Sequence, residues 1–163
     1  MRHLYTIFII ALFCSCEVQY SMLDSSIDAE SFSVSTFEGQ AANAPAGYAI
    51  RFTEFLRDFI VSRSKMKLKK ENADIEISGI VTSYYTSPVA VQQDEIAALN
   101  RLSVTILVSV INNRDEKQSF EKNFTQFSDY ESSQNLAAVE EALLEDINEK
   151  LGQDIINELS KNW

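Results

Sequence analysis

Leu102, Val104, Ile106, Val108 and Val110 alternate with Arg101, Ser103, Thr105, Leu107 and Ser109, and this period of two constrains the fold more than any other feature of the chain. Alternation places five aliphatic side chains on one face of a strand and a mainly polar set on the other. Such a strand needs a layer to cover its apolar face and neighbours to pair with its backbone. Ile75, Ile77, Gly79 and Val81 alternate with Asp74, Glu76 and Ser78 and supply one neighbour. The segment 118–128 (QSFEKNFTQFS) returns as another after the turn-like Asn112-Asn113-Arg114-Asp115, and 31–37 (SFSVSTF) is a short first strand. Lys65 to Lys70 alternates weakly ahead of the turn-like Glu71-Asn72, and 85–99 (YTSPVAVQQDEIAAL) reads as a loop containing Pro88.

Two helical stripes supply the cover. From about Ala46 to Ser64, Tyr48, Phe52, Phe55, Leu56, Phe59 and Ile60 share one side, with Arg51, Glu54, Arg57 and Asp58 opposite. After the capping residues Ser132, Ser133 or Asn135, a second stripe runs through Leu136, Val139, Leu143, Ile147, Leu151, Ile155 and Leu159. Gly152 interrupts it at a cost of about 1 kcal/mol relative to Ala. The order is β-α-β-β-β-α, which predicts an α+β two-layer sandwich: two helices packed on one face of a mostly antiparallel four-stranded sheet. The other face is left polar, or free for a partner.

The N-terminus sets the cellular context. Met1-Arg2-His3 precedes an apolar run at Leu4–Phe13 that is too short to span a bilayer and fits the core of a secretory signal. Cys14-Ser15-Cys16 follows, and Ser15 before Cys16 resembles the lipobox of bacterial lipoproteins, with Phe13 replacing the usual aliphatic residue. Lipidation at Cys16 is the expectation, with residues 1–15 as leader, 16–30 as a polar tether and 31–163 as the folded domain; an ordinary cleaved signal is the alternative. A lone CxC with no other Cys or His downstream does not complete a four-ligand metal site.

Little chemistry is on offer. The single histidine, His3, and both cysteines lie in the first sixteen residues, so His- and Cys-based catalysis is nearly excluded. No GxGxxG, Walker A, HExxH, EF-hand or GxSxG pattern occurs. The formal charge of -10 argues against nucleic acid as a partner. Glu140, Glu141, Glu145, Asp146 and Glu149 read as the solvated face of the last helix, and Asp94-Glu95 as a solvated loop. The KLKK run at 67–70 reads first as edge-strand protection and second as a phosphate-meeting cluster. Tyr84-Tyr85, beside the Pro88 loop, is the aromatic pair suited to either core or interface. No catalytic residue, metal or cofactor is assigned.

Several segments look familiar in combination. Ser87-Pro88-Val89-Ala90-Val91-Gln92, Ala97-Ala98-Leu99-Asn100-Arg101-Leu102, Phe127-Ser128-Asp129-Tyr130, Ser132-Ser133-Gln134-Asn135-Leu136 and the terminal Asn162-Trp163 resemble, in this order, the LptE family of lipopolysaccharide-assembly lipoproteins. The resemblance implies an outer-membrane lipoprotein on the periplasmic face that enters and plugs the LptD β-barrel and binds lipopolysaccharide, with two helices on a four-stranded sheet. It implies that loop 85–100 reaches into the partner. Tyr84, Tyr85, Pro88, Val89, Asn100 and Arg101 become the candidate contacts, Arg101 for lipid phosphate. That loop is nearly devoid of cations, so either the target carries few phosphates or the Lys65, Lys67, Lys69 and Lys70 cluster meets them, with Lys67 and Lys69 as the candidates. The alternative is a lipid-binding or lipid-shuttling lipoprotein that works without a barrel. A hydrolase of envelope polymers is the third reading and needs a carboxylate pair that no spacing selects.

Overall fold

The computed structural model describes residues 29–89 and 98–161. Its elements are β1 (Ser31–Val34), β2 (Glu38–Gly39), α1 (Tyr48–Arg63), β3 (Lys67–Leu68), β4 (Ile75–Val89), β5 (Leu99–Asn112), a 3-10 turn at Glu116–Gln118, β6 (Phe120–Glu131) and α2 (Leu136–Lys161). The sheet order is β3-β1-β4-β5-β6, and β2 also pairs with β4. The long β4–β5 and β5–β6 ladders are antiparallel, whereas β1 and β2 run parallel to β4, and β3 parallel to β1. This is an α+β fold with two helices and a mixed, mostly antiparallel sheet, wider than the four strands expected.

The extra strands have local causes. The first strand splits because its chain leaves the ladder after Val34: Phe37 turns into the core and its N–H donates to Thr53 Oγ1 at 2.9 Å, while the Thr53 hydroxyl donates to the Ala49 carbonyl. Phe37 occupies the space over Gly79, where an added Cβ would meet its ring and come within 2.6 Å of the Leu107 carbonyl oxygen. The weak Lys65–Lys70 alternation becomes β3, where the Lys67 N–H donates to the Glu30 carbonyl and the following Lys69 N–H to the Phe32 carbonyl.

The 85–99 loop is corrected as well. β4 continues to Val89 and β5 begins at Leu99, so most of that segment outside residues 90–97 is paired strand. A bulge between Val81 and Ser83 hides this from a period-two reading. Ile75, Ile77 and Val81 face the core; the extra residue Thr82 shifts the parity, and the next buried side chain is Tyr84. The Thr82 hydroxyl donates to the Thr105 carbonyl at 3.2 Å. Pro88 pairs opposite Asn100 where β4 has a strand on one side only, so its missing N–H leaves no ladder bond open.

Both helices cover the face bearing Leu102, Val104, Ile106, Val108 and Val110, as the stripes require. α1 buries Tyr48, Phe52, Leu56, Phe59 and Ile60; α2 buries Leu143, Ile147, Leu151, Ile155 and Leu159. The Asn135 carboxamide oxygen accepts the Ala137 N–H at 3.1 Å, so Asn135 caps α2. Two buried phenols fasten α2: Tyr48 of α1 donates to Asn148 Oδ1 at 2.7 Å, and Tyr84 of β4 donates to the Glu140 carboxylate. Burial first, and for Tyr84 also the Glu140 carboxylate, push both phenols above their ordinary range. Glu140 is therefore half-buried and engaged rather than part of the solvated face, and Asp146 is half-buried and pairs with Lys150.

Gly152 sits at the helix crossing. An added Cβ would lie 2.9 Å from Phe59 Cδ1 and 3.2 Å from Phe55 Cε1. The helix-propensity gain of Gly152→Ala, about 1 kcal/mol, is opposed by overpacking of roughly 1–3 kcal/mol. Thermal melts should show both Gly152→Ala and Gly79→Ala destabilised. Gly79→Ala should be the worse, because one of its opposing atoms is backbone. Adding Phe59→Leu should restore Gly152→Ala in part and leave Gly79→Ala unimproved.

Asp74 ties β1 to the start of β4. Its Oδ2 accepts from the Glu30 N–H (2.9 Å), the Ser31 N–H (2.9 Å) and the Ser31 hydroxyl (3.0 Å), and its Oδ1 faces Arg114 Nε at 3.2 Å. Burial pulls this carboxyl upward, but the Ser31 hydroxyl, the Glu30 N–H and Arg114 outweigh it and hold the group below the ordinary carboxylate value. A depressed folded-state pKa contributes stability above the unfolded pKa and loses it as pH falls through the folded value. The melting temperature should thus fall as pH drops below about 4. Asp74→Asn should lower it at neutral pH and flatten that acid limb; an unchanged limb would contradict the assignment.

Candidate functional site

The bulge at Thr82 gives the far half of the β4–β5–β6 sheet two different faces. On the helix side, Tyr84 joins the core, 6.4 Å from the Tyr48 ring. On the open side, register sets Tyr85 opposite Ser103 and Ser103 opposite Phe127, while Arg101 lies between Ser87 and Asp129. Arg101 donates from Nε to Asp129 Oδ1 at 2.7 Å and from Nη2 to Oδ2 at 2.9 Å, a bidentate pair. Its guanidinium carbon also stands 3.6 Å from the Phe127 ring centroid. The hydrogen bonds from Arg101, more than the burial that opposes them, hold the Asp129 carboxyl below its ordinary range. Lys150 reaches from α2 to the Phe127 carbonyl at 3.1 Å, and the Thr105 and Thr125 hydroxyls meet at 2.9 Å.

The result is a neutral, aromatic patch on the sheet face that no described helix covers. Tyr85 is 48% exposed and Phe127 40%, while Ser103 between them is 4% exposed. Aromatic side chains and arginine on a flat, desolvated centre are the composition of protein–protein hot spots. Net charge is absent because Arg101 is matched by Asp129.

The sequence-derived residues fall into two groups that the fold keeps apart. Tyr85, Pro88, Val89, Asn100 and Arg101 lie together on the distal hairpin, with Pro88 opposite Asn100 and Val89 opposite Leu99. Tyr84 belongs to this hairpin but its side chain points into the core. Lys67 pairs with Ser31 at the other end of the sheet, beside Ile75, and Lys69 follows it. β4 has 15 residues, about 50 Å of strand at ~3.3 Å each, so no single small ligand touches both groups. Arg101, the candidate for lipid phosphate, has its donors on Asp129 and its face on Phe127. Cys16, Asp94, Glu95 and Trp163 lie outside the described residues. Phe127 and Asp129 were not singled out from the sequence as contacts. Only the β5–β6 register, which places them beside Ser103 and Arg101, reveals them.

Elsewhere an acidic groove of about 690 Å³ separates α1 from the first half of α2, lined by Tyr48, Arg51, Phe55, Glu140, Glu141 and Leu144 among others. No helix among the described residues is long and apolar enough to cross a membrane.

A comparison with curated protein sequences gives no match. Solved structures share the fold. A minor lipoprotein of Acinetobacter baumannii matches with a TM-score of 0.54 at 15% identity, covering 82% of this chain and 94% of that one. Lipoprotein B of Nitrosomonas europaea matches with a TM-score of 0.50 at 14% identity, covering 82% and 84%. A Xanthomonas campestris protein reaches a TM-score of 0.58 at 13% identity, covering 81% and 84%. The family model described as lipopolysaccharide assembly, LptE, matches residues 29–159, which is most of the chain and nearly all of its described fold. The chain therefore belongs to the LptE family, outer-membrane lipoproteins of lipopolysaccharide assembly.

Proposed function

We propose that this lipoprotein is the plug and assembly subunit of an LptD-type β-barrel and assists insertion of lipopolysaccharide into the outer leaflet. In this reading residues 1–15 are a leader, Cys16 carries the lipid anchor, 16–30 is a tether and 31–163 is the plug. The observation that carries it is the exposed distal patch of Tyr85, Arg101 and Phe127, on a three-strand extension whose β5 and β6 are bridged by the Arg101–Asp129 pair. The mechanism is steric and needs no catalytic group. Fully buried Phe52, Leu56, Ile106, Ile147 and Ile155 fill the space between helices and sheet. That packing favours a rigid plug over a carrier that shelters acyl chains. Arg101 is neutralised by Asp129, so it offers no free charge to lipid phosphate, and the plug role needs none.

The test is co-purification of the tagged, full-length protein from detergent-solubilised outer membranes, with mass identification of what accompanies it. A large β-barrel should remain bound in high salt. Tyr85→Asp/Asn100→Asp should cut its recovery by about ten-fold or more while moving the melting temperature by less than about 2 °C. Loss of recovery in proportion to loss of stability, or recovery of lipid alone, would overturn the plug and leave the barrel-independent carrier.

A further inference from the structure

The junction between α1 and β3, Arg63–Lys70, reads RSKMKLKK. Five of the chain's 14 lysines and arginines fall in these eight residues with no carboxylate among them, in a chain of net charge -10. Edge protection accounts for Lys67, since β3 is the outermost strand. It does not account for Lys69 and Lys70, which lie past the strand. Both are exposed and, with Lys67, make no ion pair among the described residues. Lys69 and Lys70 border an open cleft of about 510 Å³ with Ser33, Ser35, Thr36 and Arg57. Arg57 is already committed to Glu54 and the Val34 carbonyl, so the lysine charges are the unmatched ones.

Leu68, between the lysines, is 47% exposed. Ammonium groups flanking an exposed aliphatic side chain match the chemistry of a bilayer interface, where phosphates lie over glycerol and the first methylenes. Place adds to chemistry. Ser31 pairs with Lys67, so this segment adjoins the point where the chain arrives from Cys16. The stretch from Cys16 to Ala29 spans at most about 45 Å when fully extended.

We propose that the Arg63–Lys70 edge is a membrane-contact surface, with Lys67, Lys69 and Lys70 on the headgroup phosphates of the phospholipid leaflet that holds the anchor, and Leu68 among those headgroups. The inference rests on the lipid-anchored reading of Cys16. Multiple acyl chains hold a protein at a bilayer without help, so the contact sets orientation rather than retention. It directs the basic end of the sheet toward lipid and the Tyr85 patch away from it.

The experiment uses the acylated, full-length protein in phosphatidylglycerol bilayers, with a fluorophore on Leu68→Cys and headgroup spin-labelled lipid as quencher. The same label on Tyr85→Cys marks the distant end. The label at 68 should be quenched several-fold more than the label at 85. Lys69→Glu/Lys70→Glu should reduce quenching at 68 by about five-fold, and high salt should do likewise. Lys69→Arg/Lys70→Arg should preserve it, and thermal melts of the variants should match the parent. Unquenched label at 68 in protein that still floats with the bilayers, or equal quenching after charge reversal, would overturn the proposal. So would charge reversal that abolishes lipopolysaccharide capture with quenching intact, because the cluster would then be a ligand site. Failure of the anchored reading looks different: the protein would leave the bilayer fraction altogether.

Discussion

The extra residue at Thr82 in the β4–β5 ladder determines how the rest of the molecule is used. Before it, odd-numbered β4 residues face the helices; after it, even-numbered ones do. One inserted residue thus lets a single continuous strand close the core with Ile75, Ile77 and Val81 and then present Tyr85 to solvent while Tyr84 bonds Glu140. A strand without the insertion would bury Tyr85 and expose Tyr84, and the Arg101–Phe127 cluster would lose its aromatic neighbour across Ser103.

Two polar fastenings make the ends of the sheet dissimilar. At the proximal end, Asp74 gathers three donors from Glu30 and Ser31 and faces Arg114, welding the incoming chain to β4. At the distal end, Arg101 and Asp129 cancel each other beneath an aromatic surface. The densest run of positive charge, Arg63–Lys70, lies beside the first fastening, and the charge of Arg101 is matched at the second.

Much of this architecture was legible in the sequence. Period two at Leu102–Val110 and the two helical stripes identified the core strand, its cover and even the burial of Tyr48, Ile147 and Ile155, since burial follows periodicity directly. What escaped detection depends on parity and on distance. The bulge at Thr82 breaks alternation, so β4 read as ending in a loop that the β5 register in fact pairs. β2 is only two residues long, below any periodic signal, and β3 is two residues within the weak Lys65–Lys70 alternation, held because the Lys67 and Lys69 N–H groups find carbonyls far along the chain. Glu140 looked solvated because nothing local reveals a phenol 56 residues away. Gly152 looked like a cost, and only the Phe59 ring against it shows why a side chain is excluded there.

The parallel pairing of β1 with β4 bears on the order in which the domain is assembled. The β4–β5–β6 meander closes between sequence neighbours and can form as it emerges. β1 has no such neighbour: its partners are Ile75 to Ile77, on the far side of α1. A chain delivered N-terminus first therefore exposes its leading strand before the residues that will hold it exist. Its edge stays unpaired until α1 has also been delivered, so this parallel pairing closes a long loop and does not form between neighbours.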